Sequence, residues 1–370
     1  MPREAVIILM LPNLVDLNDY SLAEWDEIVA LAQSIMHNPQ RYTAACKDKI
    51  MATLFYEPST RTQMSFQSAM LRLGGQLIGF DNPATSSVSK GENLKDTTKI
   101  VSSYADILVM RHPHDGSAKA AALTADCPII NAGDGKHLHP TQTLTDLLTL
   151  KEEKGSISGL TIGLCGDLKQ GRTVHSLCKA LAGYSGNCFV LISTPEMRLP
   201  DYVKDVITES GCTYQEISRL EDAMPLLDVL YMTRIQRERF VSPEEYASQK
   251  DIYVLDPEKM TLGKKDLIVL HPLPRVDEIQ VAVDDDPRAL YFRQAYYGVF
   301  VRMALILTIL DRGITRKPLL TGTVYPDRLC PNPNCITRFE AYLPRSYRSD
   351  GSSLRCEYCD ECLDPVASGE

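Results

Sequence analysis

The run Pro58-Ser59-Thr60-Arg61-Thr62 places three hydroxyls and a guanidinium within four residues. The apolar stretch 50–56 precedes it, and Phe66, Ala69, Met70 and Leu73 follow at helical spacing, so the run sits where a buried strand gives way to a helix. A helix start offers backbone N–H groups and the positive end of the dipole, which suits phosphate. The bland alternative is that Ser59 or Thr60 merely caps the helix, Thr60 with Gln63 also making a capping box, and Arg61 is solvated. Gly166-Asp167-Leu168-Lys169-Gln170-Gly171-Arg172-Thr173 looks like a nucleotide P-loop between a strand and a helix. That pattern wants lysine before the hydroxyl. Arg172 has instead a planar fork suited to bidentate carboxylate or phosphate, so ATP chemistry is the runner-up.

Three further polar groups follow strand candidates or open a helix. They are Arg111-His112-Pro113-His114, His139-Pro140-Thr141-Gln142 and His271-Pro272-Leu273-Pro274-Arg275. Each is weak alone, since a lone loop histidine is usually just hydrogen-bonded. Together they fall at strand ends, where open α/β sheets bind ligands.

The elements that must position these groups follow from periodicity. Ser21 and Glu24 read as a capping box opening a helix with Leu22, Trp25, Ile28, Val29, Ala32 and Ile35 on one face. Strands are expected at 50–56, 107–110 and 128–130, and helices from about 60 and over 141–150. From Gly159 the rhythm is β-α-β: strands at 160–165 and 188–193, helices at 173–182 and 201–209, then strands at 229–233, 252–255 and 267–270. Such alternation implies parallel sheets covered on both faces, an α/β class. A long apolar helix over 295–310 closes the main body.

The chain has 370 residues with 44% hydrophobic and 24% charged, which suits two or three folded domains and excludes wholesale disorder. Its net charge of −9 argues against a generic basic surface for nucleic acid or membrane, while leaving anionic substrates open. The apolar run 5–11 is too short for a membrane span and lacks a following small-residue cleavage site, so a cytoplasmic protein is expected. Six cysteines are scattered between residues 46 and 212, and five crowd the last 41 residues. Cys330-x4-Cys335, twenty residues, then Cys356-x2-Cys359 is a four-thiolate spacing suited to structural zinc; disulfides or free thiols are the alternative. Cys362 is a spare thiol or an alternative ligand.

Ser59-Thr60-Arg61-Thr62, Arg111-His112-Pro113, His139-Pro140-Thr141-Gln142, the run 166–176, Arg234-Ile235-Gln236 and the run 271–275 occur in the order of aspartate carbamoyltransferase catalytic chains. The chain resembles that family over residues 5–312. Ornithine carbamoyltransferases share Ser-x-Arg-Thr but carry His-Cys-Leu-Pro where this chain has His271-Pro272-Leu273-Pro274, so Pro272 and Arg234-x-Gln236 point to aspartate.

The resemblance implies transfer of a carbamoyl group from carbamoyl phosphate to L-aspartate, an early step of pyrimidine biosynthesis, without a catalytic cofactor. It implies two doubly wound domains: a carbamoyl phosphate domain over 1–142 completed by a helix near 295–312, and an aspartate domain over 150–290. Ser59, Thr60, Arg61, Thr62 and Arg111 would hold phosphate, and Thr62, Arg111 and His139 would face the carbonyl oxygen. Arg61, Thr62, Arg111 and His139 are thus the implied catalytic set. Gln142 and the carbonyls of Leu273 and Pro274 would hold the carbamoyl amide. Arg172 and Arg234 would each grip an aspartate carboxylate, with Gln236 in support. The stretch 86–92 matches the family's mobile loop, in which Ser86 reaches the phosphate and Lys90 both substrates of a neighbouring subunit, implying a homotrimer at least, with a higher assembly of trimers left open. Ser89 departs from the family, where a lysine usually precedes Lys90.

Beyond a linker at 313–327, residues 328–370 resemble the zinc domain of the aspartate carbamoyltransferase regulatory chain, with Cys330, Cys335, Cys356 and Cys359 as the implied ligands. The short linker leaves no room for that chain's nucleotide-binding domain, so a catalytic chain fused to a truncated regulatory chain is implied. Another amine substrate such as ornithine, or an inactive regulatory homologue, are the competing readings.

Overall fold

The computed structural model describes residues 12–235, 252–312, 320–350 and 353–363. Gln236, the apolar run 5–11 and linker residues 313–319 lie outside them. The chain divides into two compact units, Met1–Thr141 with Val299–Glu370, and Gln142–Gly298.

The first unit opens with helix α1 (Leu22–His37), and Ser21 and Glu24 form the expected reciprocal capping box. The strands β1 (Ile50–Phe55), β2 (Gln76–Phe80), β3 (Ile107–His112) and β4 (Ile129–Asp134) make a four-stranded sheet in the order β2-β1-β3-β4, and every pair is parallel. The central strands are apolar and buried on both faces, as a covered parallel sheet requires. Between them run α2 (Thr60–Arg72), α3 (Leu94–Ser102) and α4 (Ser117–Ala122). Helix α5 (Pro140–Lys154) begins with a proline that loses nothing at a helix start.

The second unit repeats the theme. Its five parallel strands β5 (Thr161–Cys165), β6 (Cys188–Ile192), β7 (Thr213–Ile217), β8 (Val229–Met232) and β9 (Ile268–Leu270) lie in the order β7-β6-β5-β8-β9. Helices α6 (Arg172–Ala182), α7 (Asp201–Glu209), α8 (Leu220–Ala223) and α9 (Pro257–Leu262) accompany them. Residues 252–255 are not a sheet strand: Leu255 makes one isolated bridge to Ile279, because its neighbours turn into the cap of α9. Helix α10 (Tyr291–Asp311) has the length and hydropathy of a membrane span, but Val301, Ala304, Leu305, Ile306 and Ile309 are fully buried, making it a core helix.

The cysteine-rich tail adds an antiparallel sheet, β10 (Thr323–Val324), β11 (Ser346–Asp350), β12 (Ser353–Cys356) and β13 (Cys362–Leu363), in chain order. It belongs to the first unit. Ile336, Leu343, Tyr347 and Tyr358 of the tail share one apolar cluster with Leu108, Met110, Ala118, Ala121 and Ile129 of the body. The seam is also hydrogen-bonded: Asp115 and Asn334 join backbones at 3.0 Å, and the Glu340 carboxylate accepts from the Leu94 N–H at 2.9 Å.

Candidate active site

Strand order decides where each unit can bind. In the first sheet the chain runs outward from β1 to β2 on one side and from β3 to β4 on the other, so β1 and β3 flank the switch point. Ser59–Thr62 follow β1, and Arg111 is at the end of β3, opposite Phe55. The two motifs are therefore brought together by the sheet. The Arg111 guanidinium lies 3.2 Å from Glu57. Burial and the charge of Arg111 both push the Arg61 guanidinium's pKa down, a concentration of positive charge that an anion relieves.

Of the two capping candidates, Ser59 holds the position but forms no side-chain cap. Ser59, not Thr60, is the N-cap of α2, Thr60 is already helical, and the Ser59 hydroxyl makes no capping bond. The N–H groups that a side chain would otherwise satisfy are left for a ligand. Thr62 and His139 are buried, and His139 Nδ1 lies 3.4 Å from the Thr141 hydroxyl. Ser86 bonds within its own turn, to the Pro83 carbonyl at 2.8 Å and the Val88 N–H at 3.3 Å; Lys90 is exposed.

In the second sheet β5 and β8 flank the switch point, with β6-β7 on one side and β9 on the other. Arg172 opens the helix after β5, and Arg234 follows β8. Gly166 has φ +117°, and a Cβ there would sit 2.5 Å from the Thr233 carbonyl, so glycine lets the two strand ends close up. The Thr233 N–H donates to the Cys165 carbonyl at 2.8 Å. Two guanidiniums at neighbouring strand ends form a set suited to a dicarboxylate.

Leu273 and Pro274 follow β9, with Leu273 at φ +54° and a cis bond between them. The Leu273 N–H donates to His271 Nδ1 at 2.7 Å, so the imidazole proton is on Nε2, which donates to Glu278 at 2.8 Å. Burial pushes the Glu278 carboxyl up, but bonds from His271 and the Val276 N–H outweigh it and hold the pKa low. Arg275 is taken by Asp284 and lies over the Tyr291 ring, which makes it a brace for this loop. Sequence reasoning missed Asp146, a fully buried carboxylate that accepts from Gln142 at 2.8 Å. The i,i+4 spacing of Gln142 and Asp146 on one helix was the available signal.

In the tail, Cys330, Cys335, Cys356 and Cys359 are buried with their sulfurs all within 4.8 Å. Cys330–Cys359 and Cys335–Cys356 are 3.5 and 3.8 Å apart, near the ~3.8 Å edge of a tetrahedron with ~2.3 Å metal–sulfur bonds and far beyond a disulfide. The thiolate set fits a structural metal. The Thr337 hydroxyl lies 3.2 Å from the Cys335 sulfur, and exposed Cys362 stands outside the cluster.

Family models match the chain in three consecutive stretches. They are the aspartate/ornithine carbamoyltransferase carbamoyl-P binding domain (residues 12–152), its Asp/Orn binding domain (158–309) and the aspartate carbamoyltransferase regulatory chain metal binding domain (329–365). The aspartate carbamoyltransferase catalytic subunit of Clostridium novyi is 57% identical over 80% of this chain and 97% of its own length. That of Clostridium perfringens is 59% identical over 81% and 98%. Among solved structures, the catalytic subunit of M. jannaschii aspartate transcarbamoylase superposes with a TM-score of 0.77 at 44% identity, covering 81% of this chain and 98% of that one. Trypanosoma cruzi aspartate transcarbamoylase in complex with carbamoyl phosphate and aspartate gives 0.72 at 38% identity, covering 81% and 97%.

Proposed function

The chain belongs to the aspartate/ornithine carbamoyltransferase family, and from that premise we propose how its residues divide the work of the reaction. The activity is carbamoyl transfer from carbamoyl phosphate to L-aspartate, giving N-carbamoyl-L-aspartate and phosphate. As the aspartate amine bonds to the carbonyl carbon, negative charge grows on the carbonyl oxygen, the bond to the phosphate oxygen breaks and the amine gives up a proton to the departing phosphate. The α2 start, with Ser59, Thr60, Arg61, Thr62 and Arg111, holds the phosphate dianion throughout. Thr62, Arg111 and His139 stabilise the carbonyl oxygen as it gains charge, a contribution on the order of several kcal/mol. Gln142 and the Leu273 and Pro274 carbonyls accept from the carbamoyl amine, and Arg172 and Arg234 hold the two aspartate carboxylates.

The observation that carries this reading is the pairing of Arg172 and Arg234 at the ends of adjacent strands. Arg234→Ala should raise the aspartate KM at least a hundredfold while leaving the carbamoyl phosphate KM within about threefold, since truncating one partner of a desolvated charge pair costs about 2–5 kcal/mol. Equal losses for both substrates would remove the assigned division.

The product makes this a step of pyrimidine synthesis, and a cytoplasmic setting suits the scattered free cysteines. Ser86 and Lys90 act in the site of a neighbouring copy, so the working unit is a homotrimer. Mixed trimers of Lys90→Ala and Arg61→Ala chains should regain part of the activity each variant lacks. No recovery in properly mixed trimers would count against sharing. The tail metal is zinc, bound by Cys330, Cys335, Cys356 and Cys359 as a closed shell that supplies structure and no catalytic water.

A further inference from the structure

Behind the second unit's strand ends lies a polar network that is almost wholly buried. Asp146, Tyr231, Gln294 and His271 are each no more than 2% exposed. Asp146 accepts from Gln142 Nε2 at 2.8 Å, Gln294 Nε2 at 2.6 Å and the Tyr231 hydroxyl at 3.0 Å, among its partners. Burial, and then the neighbouring Asp146 anion, push the Tyr231 phenol well above its ordinary pKa, so it remains a donor. A carboxylate surrounded by donors is an acceptor only, and this settles the orientation of both amides. Gln142 turns its nitrogen to Asp146 and its carbonyl oxygen the other way.

The network continues beyond Asp146. Gln294 turns its own carbonyl oxygen to the His271 N–H at 2.9 Å, and His271 Nδ1 accepts from the Leu273 N–H. One chain of hydrogen bonds therefore runs Gln142–Asp146–Gln294–His271–Leu273. Its two ends are the groups assigned above to the carbamoyl amine.

We propose that Asp146 is the positioning residue that makes the site select an amide: it presents the Gln142 carbonyl oxygen, and through Gln294 and His271 the Leu273–Pro274 carbonyls, as acceptors for the carbamoyl N–H groups. This rests on the reading of Gln142, Leu273 and Pro274 given above. Acceptors held in this direction reward an NH2 group and leave a methyl group facing unpaired oxygens. With the carboxylate gone, Gln142 can rotate and present its own N–H groups, which favour neither ligand.

The test compares carbamoyl phosphate with acetyl phosphate, which replaces the amine by methyl. The KM for carbamoyl phosphate and the inhibition constant of acetyl phosphate are measured in the intact protein with aspartate. Asp146→Ala should reduce the ratio of the acetyl phosphate inhibition constant to the carbamoyl phosphate KM at least tenfold, and Asp146→Asn, which keeps a neutral acceptor, about threefold. A purely structural role would weaken both ligands alike and keep the ratio constant in every variant. If Asp146→Ala does not fold, Asp146→Asn decides, and an unchanged ratio overturns the proposal. Wild-type protein that transfers no carbamoyl group to aspartate would overturn the underlying reading as well, a result distinct from an active wild type with unmoved ratios.

Discussion

Ser21 and Ser59 both stand at helix starts, yet only Ser21 caps its helix. Ser21 accepts from the Glu24 N–H while Glu24 returns the bond, whereas Ser59 makes no side-chain cap. Ser21→Ala should therefore cost about 1 kcal/mol of stability and leave the kinetics alone. Ser59→Ala should do the converse, sparing the melting temperature and raising the carbamoyl phosphate KM severalfold. Thermal melts beside steady-state kinetics check both, and a Ser59→Ala protein that is destabilised but kinetically intact would mean an ordinary cap. At this scale the position of the hydroxyls and arginines was legible, because an apolar run followed by helical spacing marks the strand end after which they stand. Asp146, His271 and Glu278 were not legible as a support, since only burial and mutual orientation turn them into one.

Between elements, the decisive fact is the order of the strands. Arg61 and Arg111 lie 50 residues apart, and Arg172 and Arg234 lie 62 apart, yet β1 pairs with β3 and β5 with β8. Periodicity finds strands without their order. It also missed β2 and β7, sheet edges with mostly exposed residues, and the short polar strands of the tail, because none forms an apolar run. Gly166 shows how tight the second switch point is. Gly166→Ala should cost roughly 1–3 kcal/mol through backbone strain and contact with Thr233, and it should raise the aspartate KM more than the carbamoyl phosphate KM. Equal changes in both would separate Gly166 from the placing of Arg172 and Arg234.

Across the first unit, the tail is fastened to the body it follows. His137 stands between Asp134 and Asp360, 3.1 Å from each, with one carboxylate on each ring nitrogen. Burial opposes its charge, but the two carboxylates outweigh burial and hold the imidazolium well above the usual histidine range. A raised folded-state pKa contributes its full stability below the unfolded value, about 6.5, and loses it as pH rises through the folded value. His137→Gln should therefore lower stability by about 1–2 kcal/mol at pH 6, given the partial exposure of Asp360, and progressively less on the alkaline side. Melting curves of both proteins across pH check the sign; a gap that widens with pH would contradict it. The cysteine spacing made the metal cluster legible, but nothing in the tail's residues alone named the face of the body that it covers.

Metal analysis should find about one zinc per chain. A chelator should unfold the tail and expose the apolar seam to a hydrophobic dye, while the protein keeps catalysing. Protein without metal, or activity lost on chelation while the oligomeric state is unchanged, would contradict the structural role. The central claim meets its most direct measurement in one vessel. The purified protein is given carbamoyl phosphate with L-aspartate and L-ornithine at equal concentration, and the products are identified by mass. The paired arginines and Pro272 predict N-carbamoyl-L-aspartate, matched mole for mole by phosphate, with citrulline at background. Citrulline in excess of carbamoyl-aspartate would contradict the account.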